Sequence, residues 1–293
     1  FHFKFFLKDS KKTIEKMKHK LSLLLVFTLF ETIRSFYSIG KIKNNLKREK
    51  LALNSNEEHR ENVDPASNLD LKNWRDYRAK LIKKTADEIS NDSFKKWDND
   101  IWAHQISCVE KGCLLLAHES LQGVFNQAAV LITEHCEEKG TFGLILNHPT
   151  KRTIANLPGL GEDLKMAFDK CTVYYGGPVS SNSVTTMHGV DDIENTEEVS
   201  PHIYLGGIEE LIKLGIQKKI KANCMRLVQG HAAWEPGQLK RELEANFWYV
   251  ACASPKVINE YSKVQKNPWL LWHEVLDLMG GNYANIAKKH RYL

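Results

Sequence analysis

Seven short apolar runs from Gly112 onward restrict this chain to sheet-containing folds. They are Cys113–Ala117, Ala128–Thr133, Phe142–Leu146, Val173–Tyr175, Ile203–Leu205, Met225–Val228 and Phe247–Cys252. Each has strand length, and polar stretches with Gly, Asn or Pro separate them. Helical signals lie between them. Pro236, Leu239, Leu243 and Phe247 predict a helix with proline at its start. Trp269, Leu270, Trp272, Val275, Leu276 and Met279 predict another, ended by Gly280-Gly281. Strands and helices alternate without a strict period. That predicts a mixed α/β (α+β) single domain over residues 97–293, with no internal repeat.

The N-terminal part has a different texture. The chain begins with Phe1, and its first methionine is Met17, which leaves residues 1–16 open to being upstream sequence. Lys18, His19 and Lys20 precede the apolar run Leu21–Phe30. This is signal-peptide architecture over residues 17–35, and the run is too short to span a bilayer. From Phe36 to Arg48 the chain is basic and has no acidic residue, as a transit peptide would be. The leader over 1–48 resembles the two-part plastid leader of algae with red-lineage complex plastids. It predicts the plastid stroma, and the alternative is a plain secretory signal. Residues 49–70 read as a polar linker. Residues 71–96 read as an amphipathic helix and its connection, with Leu71, Trp74, Leu81, Ile82 and Ile89 at helical spacing. Packing on its own domain is the preferred reading of that helix; docking to a partner through Trp74–Ala79 is the other. No membrane span is expected in the mature part.

Charge separates the same two regions. The net charge is +5, but residues 1–50 carry 13 Lys/Arg and 4 Asp/Glu, leaving 28 and 32 for residues 51–293. The leader is thus +9 and the remainder −4. A mildly acidic globular part argues against direct nucleic-acid binding, which needs clustered cations against phosphates. The six cysteines, Cys108, Cys113, Cys136, Cys171, Cys224 and Cys252, form no C-x-x-C pair. They show no zinc spacing, so no metal and no cofactor is expected. Most lie in apolar runs and read as buried free thiols.

Three turn segments carry the candidate site. Leu144–Leu146 runs into Asn147-His148-Pro149, where Asn147 suits a turn and His148 stands at a strand end. Gly176-Gly177-Pro178 follows a strand and suits a sharp turn, a close backbone approach or a ligand cradle. It matches neither dinucleotide nor phosphate-loop spacing. Gly230–Leu239 holds His231, a corner-filling Trp234 and Gln238. Gln238 is expected in a first helical turn, where free N–H groups favour an anion. His135 and Cys136 end another strand and, being adjacent, point to opposite faces. Any thiol chemistry at Cys136 would need His148 or His231 as partner. The candidate binding set is Asn147, His148, Gly176, Gly177, His231, Trp234 and Gln238, with no catalytic constellation among them.

In order, Gly112–Ala117, Val130–His135, Phe142–Pro149, Gly176–Val179, Tyr204–Gly207 and Gly230–Leu239 resemble the YqgE/AlgH family. Trp74–Ala79, Trp102–Gly112 and Trp272–Tyr283 resemble its plant and algal plastid members. Four positions depart from the family pattern. His148 stands where Arg is usual, His231 and Ala233 where Tyr and Gly flank an Ala, and Glu119 near a usual Pro. The resemblance implies a compact α/β domain with a bent, partly barrel-like sheet flanked by helices. Bacterial members are named as transcriptional regulators, and the family brings no established catalytic residue. The resulting expectation is a non-enzymatic plastid regulatory or protein-binding module. The alternatives are a transcription-linked regulator that contacts nucleic acid, and a small-molecule enzyme using His148, His231 or Cys136.

Overall fold

The computed structural model describes residues 74–88, 97, 100–259 and 267–290; the leader over 1–48 and the linker over 49–70 fall outside them. The described chain opens with helix α1 (Trp74–Glu88), β1 (Ala103–Gln105) and β2 (Leu114–Ala117). A hairpin follows, β3 (Ala129–Cys136) and β4 (Gly140–Ile145), then β5 (Pro149–Thr153), α2 (Glu162–Phe168) and β6 (Thr172–Tyr175). Next come β7 (Val179–His188), β8 (Thr196–Ser200), β9 (Ile203–Gly206) and α3 (Ile208–Ile216). The last elements are β10 (Met225–Trp234), α4 (Gln238–Glu244), β11 (Trp248–Ala253), α5 (Pro255–Asn259), α6 (Leu271–Met279) and α7 (Gly281–His290).

The eleven strands make one sheet ordered β1-β11-β2-β3-β4-β10-β7-β9-β8, with β6 beside β10 and β5 beside β6. All pairings are antiparallel except β6 with β10. The fold is the expected mixed α/β class, and its sheet is open rather than closed into a barrel. The two ends of the path are blunted in different ways. β1 has only three residues, and β8 places Glu197 and Glu198 on its exposed stretch. Among the described residues, no helix is long and apolar enough to cross a membrane.

β10 is the seam. Its first half pairs with β7 and β6, and its second half pairs with β4. The register shifts between Gln229 and His231, where Gly230 takes φ 74°. Successive side chains of a strand point to opposite faces, and β10 uses both faces. Val228, Ala232 and Trp234 enter the larger core, which also holds β2, β3, β11 and α6. Met225 and Leu227 enter a smaller core with Phe168, Leu164 and Leu211 from α2 and α3. All nine residues of α6 are buried, and the Trp272 indole N–H donates to the Ala117 carbonyl at 2.9 Å.

All seven apolar runs are strands: β2, β3, β4, β6, β9, β10 and β11. The helix expected to begin at Pro236 starts instead at Gln238. Gly237 takes the left-handed conformation, φ 73°, which ends the turn containing Pro236 before the helix begins. Phe247 lies beyond that helix, after Asn246 at φ 58°.

Candidate functional site

The three turn segments do meet, through their backbones. The Ile145 N–H donates to Gly176 O at 2.9 Å, Tyr175 N–H to His148 O at 2.9 Å, and Gly176 N–H to Gln229 O at 2.8 Å. A Cβ on Gly176 would lie 2.3 Å from Gly230 O, and one on Gly177 would lie 2.2 Å from His231 C. Neither distance is tolerable, so both glycines permit main chain to pack on main chain. The space a ligand cradle would need is filled by β10.

The side chains go separate ways. Asn147 is fully buried; its Oδ1 accepts the Ala129 N–H and its Nδ2 donates to Gln127 O, both at 2.8 Å. It holds the turn. His148 is buried, its ring 4.6 Å from that of Trp269 and its Nε2 without a hydrogen-bond partner. Burial pushes its pKa below the ordinary histidine value, against a hydrogen bond with the Asn126 backbone. His231 faces the ring of Phe142 at 5.7 Å, with no ring or hydrogen-bond contact to His148 among the described residues. Trp234, three positions on, points to the opposite, buried face. There Glu242 collects the indole N–H groups of Trp234 and Trp248, each at 2.8 Å, and Gln238 Nε2 at 2.9 Å. Gln238 Oε1 accepts the Glu235 N–H at 3.0 Å, so its amide secures the corner from both ends.

His135 and Cys136 lie elsewhere. Together with Cys108, Glu235 and Lys240 they line a cleft of about 440 Å³ between the β3–β4 hairpin and α4. His135 Nδ1 is 2.8 Å from Thr141 Oγ1. Neither His148 nor His231 lines this cleft. Among the described residues no group of three or more His, Cys, Asp or Glu is placed to hold a metal. A second cleft, of about 270 Å³, brings Asp76 of α1 together with Trp102, His202 and Lys256. Burial raises the Asp76 pKa, partly offset by Lys80.

Helix α1 has one face turned to the domain and one turned to solvent. Arg75, Ala79 and Ile82 point inward. The Arg75 guanidinium reaches Glu110 Oε1 at 3.2 Å, Ser200 Oγ at 2.6 Å and the Lys111 carbonyl. Arg78 reaches the same Glu110 oxygen at 3.2 Å and lies over the Trp74 ring at 4.1 Å. The outward face carries Trp74, Tyr77 and Leu81, exposed at 40%, 47% and 47%, with Lys80 and Lys84 beside them. Their spacing of three and four residues makes one stripe. The sequence contained that spacing, but nothing local separates a stripe facing a core from one facing solvent.

A family model described as AlgH-like (DUF179) matches residues 114–284, more than half of the chain. The chain belongs to the AlgH-like family. A UPF0301 protein of Chlamydia felis is 34% identical over 190 residues, covering 61% of this chain and 91% of the relative. A UPF0301 protein of Chlorobium luteolum is 31% identical over 188 residues, covering 60% and 89%. Protein DIP2367 of Corynebacterium diphtheriae is similar at 25% identity and TM-score 0.47, over 62% of this chain and 90% of that one. The AlgH protein of Pseudomonas aeruginosa is similar at 20% identity and TM-score 0.43, over 62% and 97%. The AlgH-like match begins after α1, so the helix and its partners Glu110 and Lys111 lie outside the matched segment, while Ser200, the third Arg75 partner, lies inside it.

Proposed function

We propose that this AlgH-like chain is a non-enzymatic regulatory binding module of the plastid stroma that acts through protein contacts. The outward stripe of α1 carries the reading. Trp74, Tyr77 and Leu81 keep much of their apolar surface in water while the opposite face is clamped to the domain. Aromatic residues on a rigid helix face are effective anchors for a partner groove. Lys80 and Lys84 beside the stripe favour an acidic rim on that partner. The plastid assignment is supported by the signal-like run before the acid-free basic stretch, and the plastid-type resemblance of Trp74–Ala79 agrees with it.

The test is capture from a plastid stromal extract by the wild-type chain and by Trp74→Ala/Tyr77→Ala/Leu81→Ala. Loss of a specific acidic protein from the triple variant, with an unchanged thermal melt, supports the module. Equal capture by both sinks the assignment to α1. The transcription-linked alternative draws on the same face, because cations interleaved with aromatics also suit nucleic acid. Fluorescence anisotropy with DNA and RNA across a salt series separates the two. A steep loss of affinity with salt would favour phosphate contacts. Fusion of residues 17–48 to a fluorescent protein tests the destination: plastid fluorescence supports the leader reading, and secretion overturns it.

A further inference from the structure

The β2–β11 register places two thiols opposite each other. Trp248 faces Ala117, Tyr249 faces Leu116, Val250 faces Leu115 and Ala251 faces Leu114. The ladder ends there, and the next residue on each side is a cysteine, Cys113 before β2 and Cys252 on β11; both are fully buried, and each lies within electrostatic reach of the other. Facing residues of an antiparallel pair point to the same side of the sheet.

The backbone hydrogen bonds give the type of pair. The Ile132 N–H donates to Cys113 O and the Ala117 N–H donates to Ala128 O, both at 2.9 Å, so Cys113, just before β2, and the odd positions of β2 bond towards β3. The Ile106 N–H donates to Val250 O at 3.1 Å and the Ser254 N–H to Trp102 O at 3.0 Å, so the even positions of β11 face β1. Cys113 and Cys252 therefore meet with no hydrogen bond between them. Such a pair has its Cα atoms about 4.5 Å apart and its side chains closest. That falls within the roughly 4.4–6.8 Å that a disulfide bridges.

The pair lies under the α1 clamp. Cys252 Sγ donates to Glu110 Oε1 at 3.5 Å, the oxygen that also accepts Arg75 and Arg78. A Cβ on Gly112, next to Cys113, would meet Arg75 Nη1 at 2.7 Å. Burial pushes the Cys113 thiol up to about 12 and the Cys252 thiol up to about 11. While α1 is docked both thiols stay protonated and shielded, which makes them poor nucleophiles.

We propose that Cys113 and Cys252 are a redox pair gated by α1, closing to a cross-strand disulfide when the helix lifts. The oxidant is a low-molecular-weight disulfide. The Cys252 thiolate attacks one oxidant sulfur, the oxidant S–S bond breaks, and one half leaves as a thiolate. The Cys113 thiolate then attacks Cys252 Sγ in the mixed disulfide and releases the second half. Two electrons pass to the oxidant, and the two cysteine protons end on its two thiols. Closure removes the S–H that Cys252 gives to Glu110, leaving that carboxylate to the two arginines. This gate stands on the inward face of α1 and does not depend on partner docking at the outward face.

The test is incubation of the full chain with oxidised glutathione, quenching by alkylation at timed points and non-reducing peptide mapping. A Cys113–Cys252 linked peptide is expected in the native wild-type protein. The linkage is expected about tenfold faster in Arg78→Ala, which takes one charged donor from Glu110 and promotes local opening. Arg78→Ala is the milder variant; Arg75→Ala is compared only if its circular dichroism is native. Adducts at Cys108 and Cys136 with no Cys113–Cys252 linkage in either protein would overturn the pair. Equal closure rates in wild type and Arg78→Ala would overturn the gate.

Discussion

The two cores on either side of β10 differ in how the chain builds them. The larger is made of continuous apolar strands, Leu114–Ala117 and Ala129–Ile132 among them, sealed by a wholly buried α6. The smaller rests on scattered apolar residues: Leu164, Phe168 and Leu211 from short helices, Ile154 and Ile193 from connecting segments, and Val173, Met225 and Leu227 from β6 and β10. Burying a continuous run stabilises in proportion to its apolar area. The smaller core has less such area, so it borrows order from the shared strand β10.

The seam itself predicts the largest effect. Gly177→Ala drives a Cβ into the His231 backbone at φ 149° and is expected to cost more than about 4 kcal/mol. The protein should then fail to give a native circular dichroism spectrum. Gly159→Ala is the control, because it also has positive φ, 77°, but meets open space and should cost about 1 kcal/mol. A folded Gly177→Ala protein would mean that the seam is plastic.

Next in size, Trp272→Ala and Phe168→Ala each remove a fully buried aromatic ring, at a cost of about 3–5 kcal/mol. Hydrogen exchange separates them. Phe168→Ala should speed exchange in β6 and α3 while β2 and β11 stay protected; Trp272→Ala should speed it throughout. The same pattern in both variants would merge the two cores into one cooperative unit.

A pH effect of intermediate size belongs to the larger core. Burial lowers the pKa of His104 from 6.5 to about 4, its ring stacked 5.6 Å from Trp102. Below pH 6.5 the unfolded chain takes up a proton that the folded chain refuses until about pH 4. Stability should therefore fall as the pH drops through that window, by up to about 3 kcal/mol. Urea melts at pH 7.5 and pH 5 on wild type and His104→Phe provide the check. A slope that His104→Phe leaves unchanged would assign the effect to other groups. His148 and His188, buried and lowered for the same reason, are the next to examine.

The smallest effect concerns a surface ion pair at the rim of the larger core. Lys111, beside the larger core, meets Glu197 on β8, and both side chains are exposed. Glu197→Gln should change stability by less than about 0.5 kcal/mol in a thermal melt. A larger loss would show a direct electrostatic tie across the sheet.

Much of the fold was legible locally. Each of the seven apolar runs became a strand, and Trp234 fills the corner assigned to it. β1, β5, β7 and β8 were not legible, because Pro-Thr-Lys-Arg-Thr or Thr-Glu-Glu-Val-Ser has no apolar alternation to read. Those segments are strands because neighbouring backbones accept their hydrogen bonds. The candidate site divides in the same way. The turn role of Asn147 and the close approach at Gly176-Gly177 followed from residue type, whereas the separation of His148 from His231 did not.

By itself, then, the sequence determined the strand-forming runs, the acidic balance of residues 51–293 and the helical spacing around Trp74. Each depends on side-chain chemistry over a few neighbouring positions. Only the tertiary structure decided that Trp74, Tyr77 and Leu81 face solvent, that β10 divides two cores, and that Cys113 and Cys252 are buried together at the end of the β2–β11 ladder. Those outcomes depend on strand register and helix rotation, which are set by contacts between residues far apart in the chain.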